Sequence, residues 1–328
     1  MPFGITLSRH IIEEEHRHPS TTGEFSILLQ QISFAGRVLA HEVGRAALGS
    51  NTGAAGIGPT GDPQQKLDVY ADEIMREAFA RSKLVAGIAS EEMERAETLS
   101  IAPEAKYLLC LDPLDGSANA DANAPLGTIF GIFRRPATGA PLTERDFLRP
   151  GREMVAAGYL LYGPSTMLVY TVGEGVHGFT LDRGGWRVHA EPPEPALSRA
   201  WHDLHRQHRS VRTVGRAGAE VHRPPQYPRS RHRPSLQAAV WRGPRRRRAS
   251  LPHRGRRLHV SAHPDYPNGK LRLLYEAAPL ALIAEQAGGA ASTGRSRVLD
   301  LVPGSLHGTT PVVVGSAAEV SLYERMNG

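Results

Sequence analysis

Six apolar runs of strand length lie between residues 84 and 181, and they constrain this chain more than any other feature. They are Leu84–Ala89, Lys106–Leu111, Gly127–Arg134, Met154–Leu161, Thr166–Val172 and Gly175–Leu181, each bounded by polar or turn residues. The last three read as a meander. Ahead of them, Thr21-Thr22-Gly23-Glu24 has the form of a capping box, with Thr21 as N-cap and Glu24 three residues later. Phe25, Leu28, Leu29, Ile32, Ala35, Val38 and Leu39 then recur at helical spacing and predict a helix to about Ala47. Residues 49–62, rich in Gly, Thr and Pro, read as a flexible stretch, and Lys66–Ala80 as a second helix. Near the end, Leu271–Gln286 predicts an apolar helix stopped at Gly288-Gly289, and Pro311–Gly315 a buried strand. The fold class expected is α/β, helices first and then a sheet.

Charge divides the chain unevenly. Its formal net charge is +6, but residues 191–260 hold 17 arginines, no lysine and four acids, a local charge of +13. The remaining residues therefore carry −7. The same block has nine prolines, seven histidines and the run Arg245-Arg246-Arg247-Arg248, without a sustained period of 2 or 3.6, and reads as disordered or loosely structured. No run of 18 apolar residues predicts a membrane span, and residues 1–19 lack the apolar stretch of a secretory signal. The one cysteine, Cys110, has no internal partner and fits a reducing cytoplasm. It sits on an apolar run and reads as core rather than nucleophile.

Four separated segments place carboxylates beside turn residues. They are Lys66-Leu67-Asp68 with Asp72 one helical turn on, Ser90-Glu91-Glu92 after one strand, Asp112-Pro113-Leu114-Asp115-Gly116-Ser117 after the next, and Glu276 following Lys270-Leu271-Arg272. In the third segment two aspartates three residues apart can reach one point, and the Leu114 carbonyl can face the same way. That is an all-oxygen cage of the kind Mg²⁺ takes. Gly116 and Ser117 offer a backbone N–H and a hydroxyl to a phosphate beside it. Glu91 and Glu92 add charge that would repel strongly without a cation.

The segments KLDVYAD, GIASEE, KYLLCLDPLDGSAN, GTIFGIFR, MVAAGYLLYGPSTMLVYTV, NGKLRLLYEAAPLA and EQAGGAASTGR resemble class I fructose-1,6-bisphosphatase over about Ser20–Leu181 and from Pro264 to the end. The related inositol monophosphatases share the acidic pair and DPxDG but lack the NGKLRLLYE stretch. The resemblance implies a sandwich of alternating helix and sheet layers (α-β-α-β-α). It also implies a cytoplasmic homotetramer that uses Mg²⁺ (or Mn²⁺) to hydrolyse fructose 1,6-bisphosphate to fructose 6-phosphate and phosphate, in gluconeogenesis or the Calvin cycle. Carried onto this sequence, Glu91, Asp112, Leu114 (by its carbonyl), Asp115 and Glu276 hold metal, and Asp68 and Glu92 orient and deprotonate the attacking water. Asp115, Gly116, Ser117, Ala118, Lys270 and Arg272 bind substrate. Ala118 and Ala120 depart from the family's DGSSNID, and the hydroxyl missing at Ala118 is worth about 1 kcal/mol of phosphate contact. Thr22, Gly23, Glu24, Lys106, Tyr107 and Arg134 match the family's inhibitory AMP site. Residues 1–182 then form a metal-binding and AMP-binding half, and 183–328 a sugar-phosphate half.

Residues 191–262 carry none of the family's pattern, although the distance from Asp182 to Lys270 is what the family shows. Preserved length with lost pattern points to a local loss of reading frame in a GC-rich gene, regained near Ala262 or His263. A chain made as written is then expected to fold poorly and turn over slowly. The rival readings are a sedoheptulose-1,7-bisphosphatase, a broader sugar or inositol phosphatase, and a pseudoenzyme whose basic block binds nucleic acid.

Overall fold

The computed structural model describes residues 6–17, 23–45, 53–59, 63–117, 120, 125–136, 140–182, 187–190, 258–260 and 268–327. Thr21, Thr22, Ala118 and nearly all of the basic block lie outside them.

The predicted strands form the centre of the molecule. They are β3 (Val85–Ser90), β5 (Tyr107–Asp115), β6 (Leu126–Arg134), β7 (Met154–Tyr162), β8 (Met167–Thr171) and β9 (His177–Asp182), preceded by a short hairpin β1 (Ala54–Ile57) and β2 (Pro63–Gln65). With β4 (Glu97–Thr98) and β10 (Arg187–Ala190) they make an eight-stranded sheet in the order β10-β9-β8-β7-β6-β5-β3-β4. Only β3 and β5 run parallel; the other neighbours are antiparallel. β5 and β6 are buried along nearly their whole length, because helices cover both faces of the sheet.

On one face lie α1 (Leu7–Arg17), α2 (Glu24–Arg45) and α3 (Lys66–Ala80), which seal a core containing Leu28, Ile32, Leu39, Met75, Phe79, Phe130 and Leu160. On the other lie a π-helical turn (Leu273–Ala277) and α4 (Ala278–Gln286), which close a second core around Phe133, Phe147, Tyr275 and Ala281. Beyond α4 comes a three-stranded sheet of β11 (Leu258–Val260), β15 (Val312–Ser316) and β13 (Gly289–Ser292), and outside that α5 (Ala317–Asn327). A two-stranded pair, β12 (Leu271–Arg272) with β14 (Thr309–Thr310), flanks the π turn. The layers alternate as the resemblance implies.

Four local expectations need correction. Helix α2 begins at Glu24, and its first bond runs from the Ile27 amide to the Gly23 carbonyl at 3.2 Å. Glu24 is therefore the first helical residue and not the third; its carboxylate turns to Lys106, at 2.7 and 2.9 Å. The stretch 49–62 contains strand β1. Leu271–Gln286 is three elements, because Pro279 has no N–H for the Tyr275 carbonyl one turn back, and the chain widens there into the π turn. Strand β11 falls inside the segment read as disordered and pairs with β15 through Leu258–Val314 and Val260–Val312. Helices α1 and α5 were not anticipated; Leu7 and Ile11 anchor the first, Val320 the second.

Candidate active site

β3 and β5 are parallel neighbours, so their C-terminal ends emerge side by side. Ser90 pairs with Leu111, and the Glu91 amide continues the ladder to the Leu111 carbonyl at 3.0 Å. Register alone thus sets Glu91 beside Asp112, at the strand ends where α/β sheets place their ligands. The π turn brings Glu276 to the same point from the opposite layer. Glu91, Asp112 and Glu276 each offer a carboxylate oxygen, and the three oxygens lie within 4.8 Å of one another. Asp112 is 2% exposed and Glu276 6%.

Local contacts hold these groups. β5 bulges between Asp112 and Asp115. There Asp112 Oδ1 accepts the Leu114 amide at 3.1 Å, and the Pro113 carbonyl accepts the Thr128 hydroxyl, itself bonded to the Tyr162 hydroxyl; both contacts are 2.8 Å. Gly116 then turns the chain at φ +88°, a left-handed conformation that favours glycine. Ser90 donates its hydroxyl to buried Asp72 at 2.6 Å and accepts the Glu92 amide at 3.3 Å, fixing the acidic loop onto α3. Glu92 accepts a short bond from the Gln64 side chain. Arg272 reaches from β12 towards Glu91 (3.7 Å) and donates its amide to Glu276 at 3.2 Å.

The electrostatics are those of an acidic hole. Burial, then the charges of Glu91, Asp115 and Glu276, pushes the Asp112 carboxyl well above its usual range. Burial, then Glu91 and Asp115, does the same to Glu276, against the pull of Arg272. Asp115 is outside the three-oxygen group but near enough to act on both. Asp68, 3% exposed at the start of α3, is raised from 3.8 to about 6, chiefly by burial, with the Gln65 amide and Ser117 hydroxyl opposing. Its Oδ2 accepts the Gln65 amide at 2.8 Å, while its buried Oδ1 has no hydrogen-bond partner. Buried oxygens with this mutual repulsion are stable as anions only around a cation, and the all-oxygen donor set suits a hard divalent ion.

Gly116 and Ser117 directly follow this group, and Arg272 borders it through Glu91 and Glu276, with its guanidinium donating to the Lys270 carbonyl at 3.0 Å. Ala118 lies outside the described residues. At the far end of β5 and β6, Tyr107 and Arg134 are cross-strand partners, with the guanidinium 5.8 Å from the ring centre, and Lys106 holds Glu24. Gly23, Glu24, Lys106, Tyr107 and Arg134 are therefore neighbours, ~17 Å along β5 from Asp112; Thr22 is not described. Gln64, Ser90, Thr128 and Tyr162 were missed as supports, since their roles come from contacts between segments that carry no local signal.

The family model for the fructose-1,6-bisphosphatase N-terminal domain matches residues 5–191, and that for the C-terminal domain residues 258–328. The pattern thus resumes at Leu258, a few residues before Ala262. The chain is 41% identical to fructose-1,6-bisphosphatase class 1 2 of Acaryochloris marina (strain MBIC 11017) over an alignment of 354 residues, covering 99% of this chain and 97% of that one. It superposes on the crystal structure of Leishmania major fructose-1,6-bisphosphatase in holo form with a TM-score of 0.75 and 30% identity, covering 99% of each chain. None of these similarities favours a sedoheptulose bisphosphatase, an inositol phosphatase or a nucleic-acid-binding pseudoenzyme. Two family models across both ends of the chain, with relatives covering nearly all of it, place this protein in the fructose-1,6-bisphosphatase family of phosphoric monoester hydrolases.

Proposed function

We propose that this chain hydrolyses the 1-phosphate of fructose 1,6-bisphosphate with a divalent cation, Mg²⁺ or Mn²⁺, held by Glu91, Asp112, Asp115, Glu276 and the Leu114 carbonyl. The observation that carries this reading is the group of three carboxylate oxygens within 4.8 Å at the ends of β3, β5 and the π turn. Ions bound there supply charge for the phosphoryl and leaving oxygens and acidify the attacking water. The protein's own residues do the rest. Ser117, the Gly116 amide, Arg272 and Lys270 seat the phosphate and cancel its charge. Asp68, raised to about 6, is a carboxylate near neutral pH yet basic enough to take a proton from water. Glu92, steadied by Gln64, orients that water.

Divalent-ion-dependent phosphate release, measured on fructose 1,6-bisphosphate, sedoheptulose 1,7-bisphosphate and inositol 1-phosphate, tests the reading. Release fastest from the first is expected; release from none, or an equal rate without divalent ions, overturns it.

The neighbouring Gly23, Glu24, Lys106, Tyr107 and Arg134 support AMP as an inhibitory effector, bound there together with Thr22. An AMP titration without effect overturns that part. Exposed Ile27 and Phe34, seven residues apart on one face of α2, support a subunit contact and a homotetramer, which light scattering measures. A buried single cysteine fits the reducing cytoplasm, where gluconeogenesis or the Calvin cycle would use the reaction. In this reading residues 1–182 carry AMP and every metal ligand but Glu276, and 183–328 supply Glu276 and the sugar-phosphate half.

A further inference from the structure

Glu91 and Glu276 come from segments far apart in sequence, and as like charges they repel. Something must hold the loop after β3 against the π turn. Tyr275, next to Glu276, is wholly buried, and its hydroxyl lies 2.6 Å from His307 Nδ1. The other ring nitrogen, Nε2, is 3.0 Å from the main-chain carbonyl of Met93, two residues after Glu91. A carbonyl only accepts, so Nε2 carries the hydrogen, and Nδ1 accepts the tyrosine hydroxyl. The imidazole is itself anchored, because the carbonyl of Gly308 accepts the Leu273 amide at 2.8 Å, docking the connection before β14 onto the first residue of the π turn. One side chain therefore joins three segments, and two of them carry the acidic group.

We propose that His307 and Tyr275 are positioning residues for the divalent-cation site, setting the separation of Glu91 and Glu276 through the bridge from Met93 to the π turn. The proposal rests on the metal site described above. Outer contacts of this kind change metal affinity by about 10- to 100-fold when removed.

The test uses the purified full chain and Mn²⁺ alone, without substrate, with free ion followed by electron paramagnetic resonance and melting measured in EDTA. Tyr275→Phe keeps the buried ring and removes one hydroxyl. It is expected to weaken Mn²⁺ binding by about tenfold or more while the EDTA melting temperature moves by only a few degrees. His307→Ala is expected to weaken binding at least as much. His307→Gln can donate to the Met93 carbonyl and accept from Tyr275, so it should recover most of that loss. A Tyr275→Phe chain that binds Mn²⁺ as tightly as the parent overturns the positioning role alone, and so does a Gln variant no better than Ala. A parent chain that binds no Mn²⁺ overturns the metal site with it. Should His307→Ala not fold, Tyr275→Phe decides by itself.

Discussion

Asp68 differs from an ordinary surface carboxylate in two ways: it is almost fully buried, and one of its oxygens is unbonded. Replacing it with Asn removes the proposed base, so phosphate release should fall by about 10²- to 10⁴-fold, with little change in KM. The same burial has a signed consequence for stability. Its folded pKa of about 6 lies above the unfolded 3.8, so Asp68 supports the fold fully below pH ~3.8 and loses that support as pH rises through about 6. The loss amounts to about 3 kcal/mol by linkage. In EDTA the stability of Asp68→Asn relative to the parent should therefore improve between pH 4 and 7; a difference independent of pH argues against the burial account. Cys110 shows burial acting on a group without a task. Wholly enclosed, with its thiol pushed far up, it should resist iodoacetamide until the chain is denatured. Rapid labelling of native protein contradicts that.

The parallel step between β3 and β5, the bulge in β5 and the π turn each aim one acidic group, and a change of geometry in any of them moves a ligand. A tight backbone constraint lies just before β12. Gly269 has φ +77°, and a Cβ there would meet the Thr310 carbonyl oxygen at 2.3 Å, against rigid backbone of β14. Gly269→Ala must therefore separate β12 from β14 and displace Lys270 and Arg272. The expected cost is about 1–3 kcal/mol of stability, together with a raised KM for the sugar bisphosphate, measured by thermal melting and steady-state kinetics. An unchanged KM in a folded variant would show that this loop does not position the phosphate. The hairpin β1–β2 matters for a similar reason: Gln64, on its second strand, is what reaches Glu92.

Across the whole molecule, matching sequence surrounds a segment that neither family model matches. The family models stop at residue 191 and resume at 258, and the intervening residues hold most of the +13 block. Translating the encoding DNA over 192–257 in its other two frames should give a family-like segment, and a chain with that frame restored should release phosphate faster than this one. If neither alternative frame resembles the family, the loss-of-frame account fails. Away from that block, the strands β5 to β9 could be read from apolar runs, and α2 and α3 from helical periodicity, because both patterns record which local face meets the core. Helix α1 could not, since only Leu7 and Ile11 bury it and most of its residues are polar. For the site, residue types and turn chemistry marked Glu91, Asp112, Asp115 and Glu276 as oxygen donors, and the longer motifs pointed to a sugar-bisphosphate phosphatase. Which of those oxygens share a point, that Asp68 is raised to about 6, and that Gln64 and His307 hold the acidic loop were decided only in three dimensions. Periodicity is a property of neighbours along the chain, whereas burial and convergence depend on segments that meet only when the layers close.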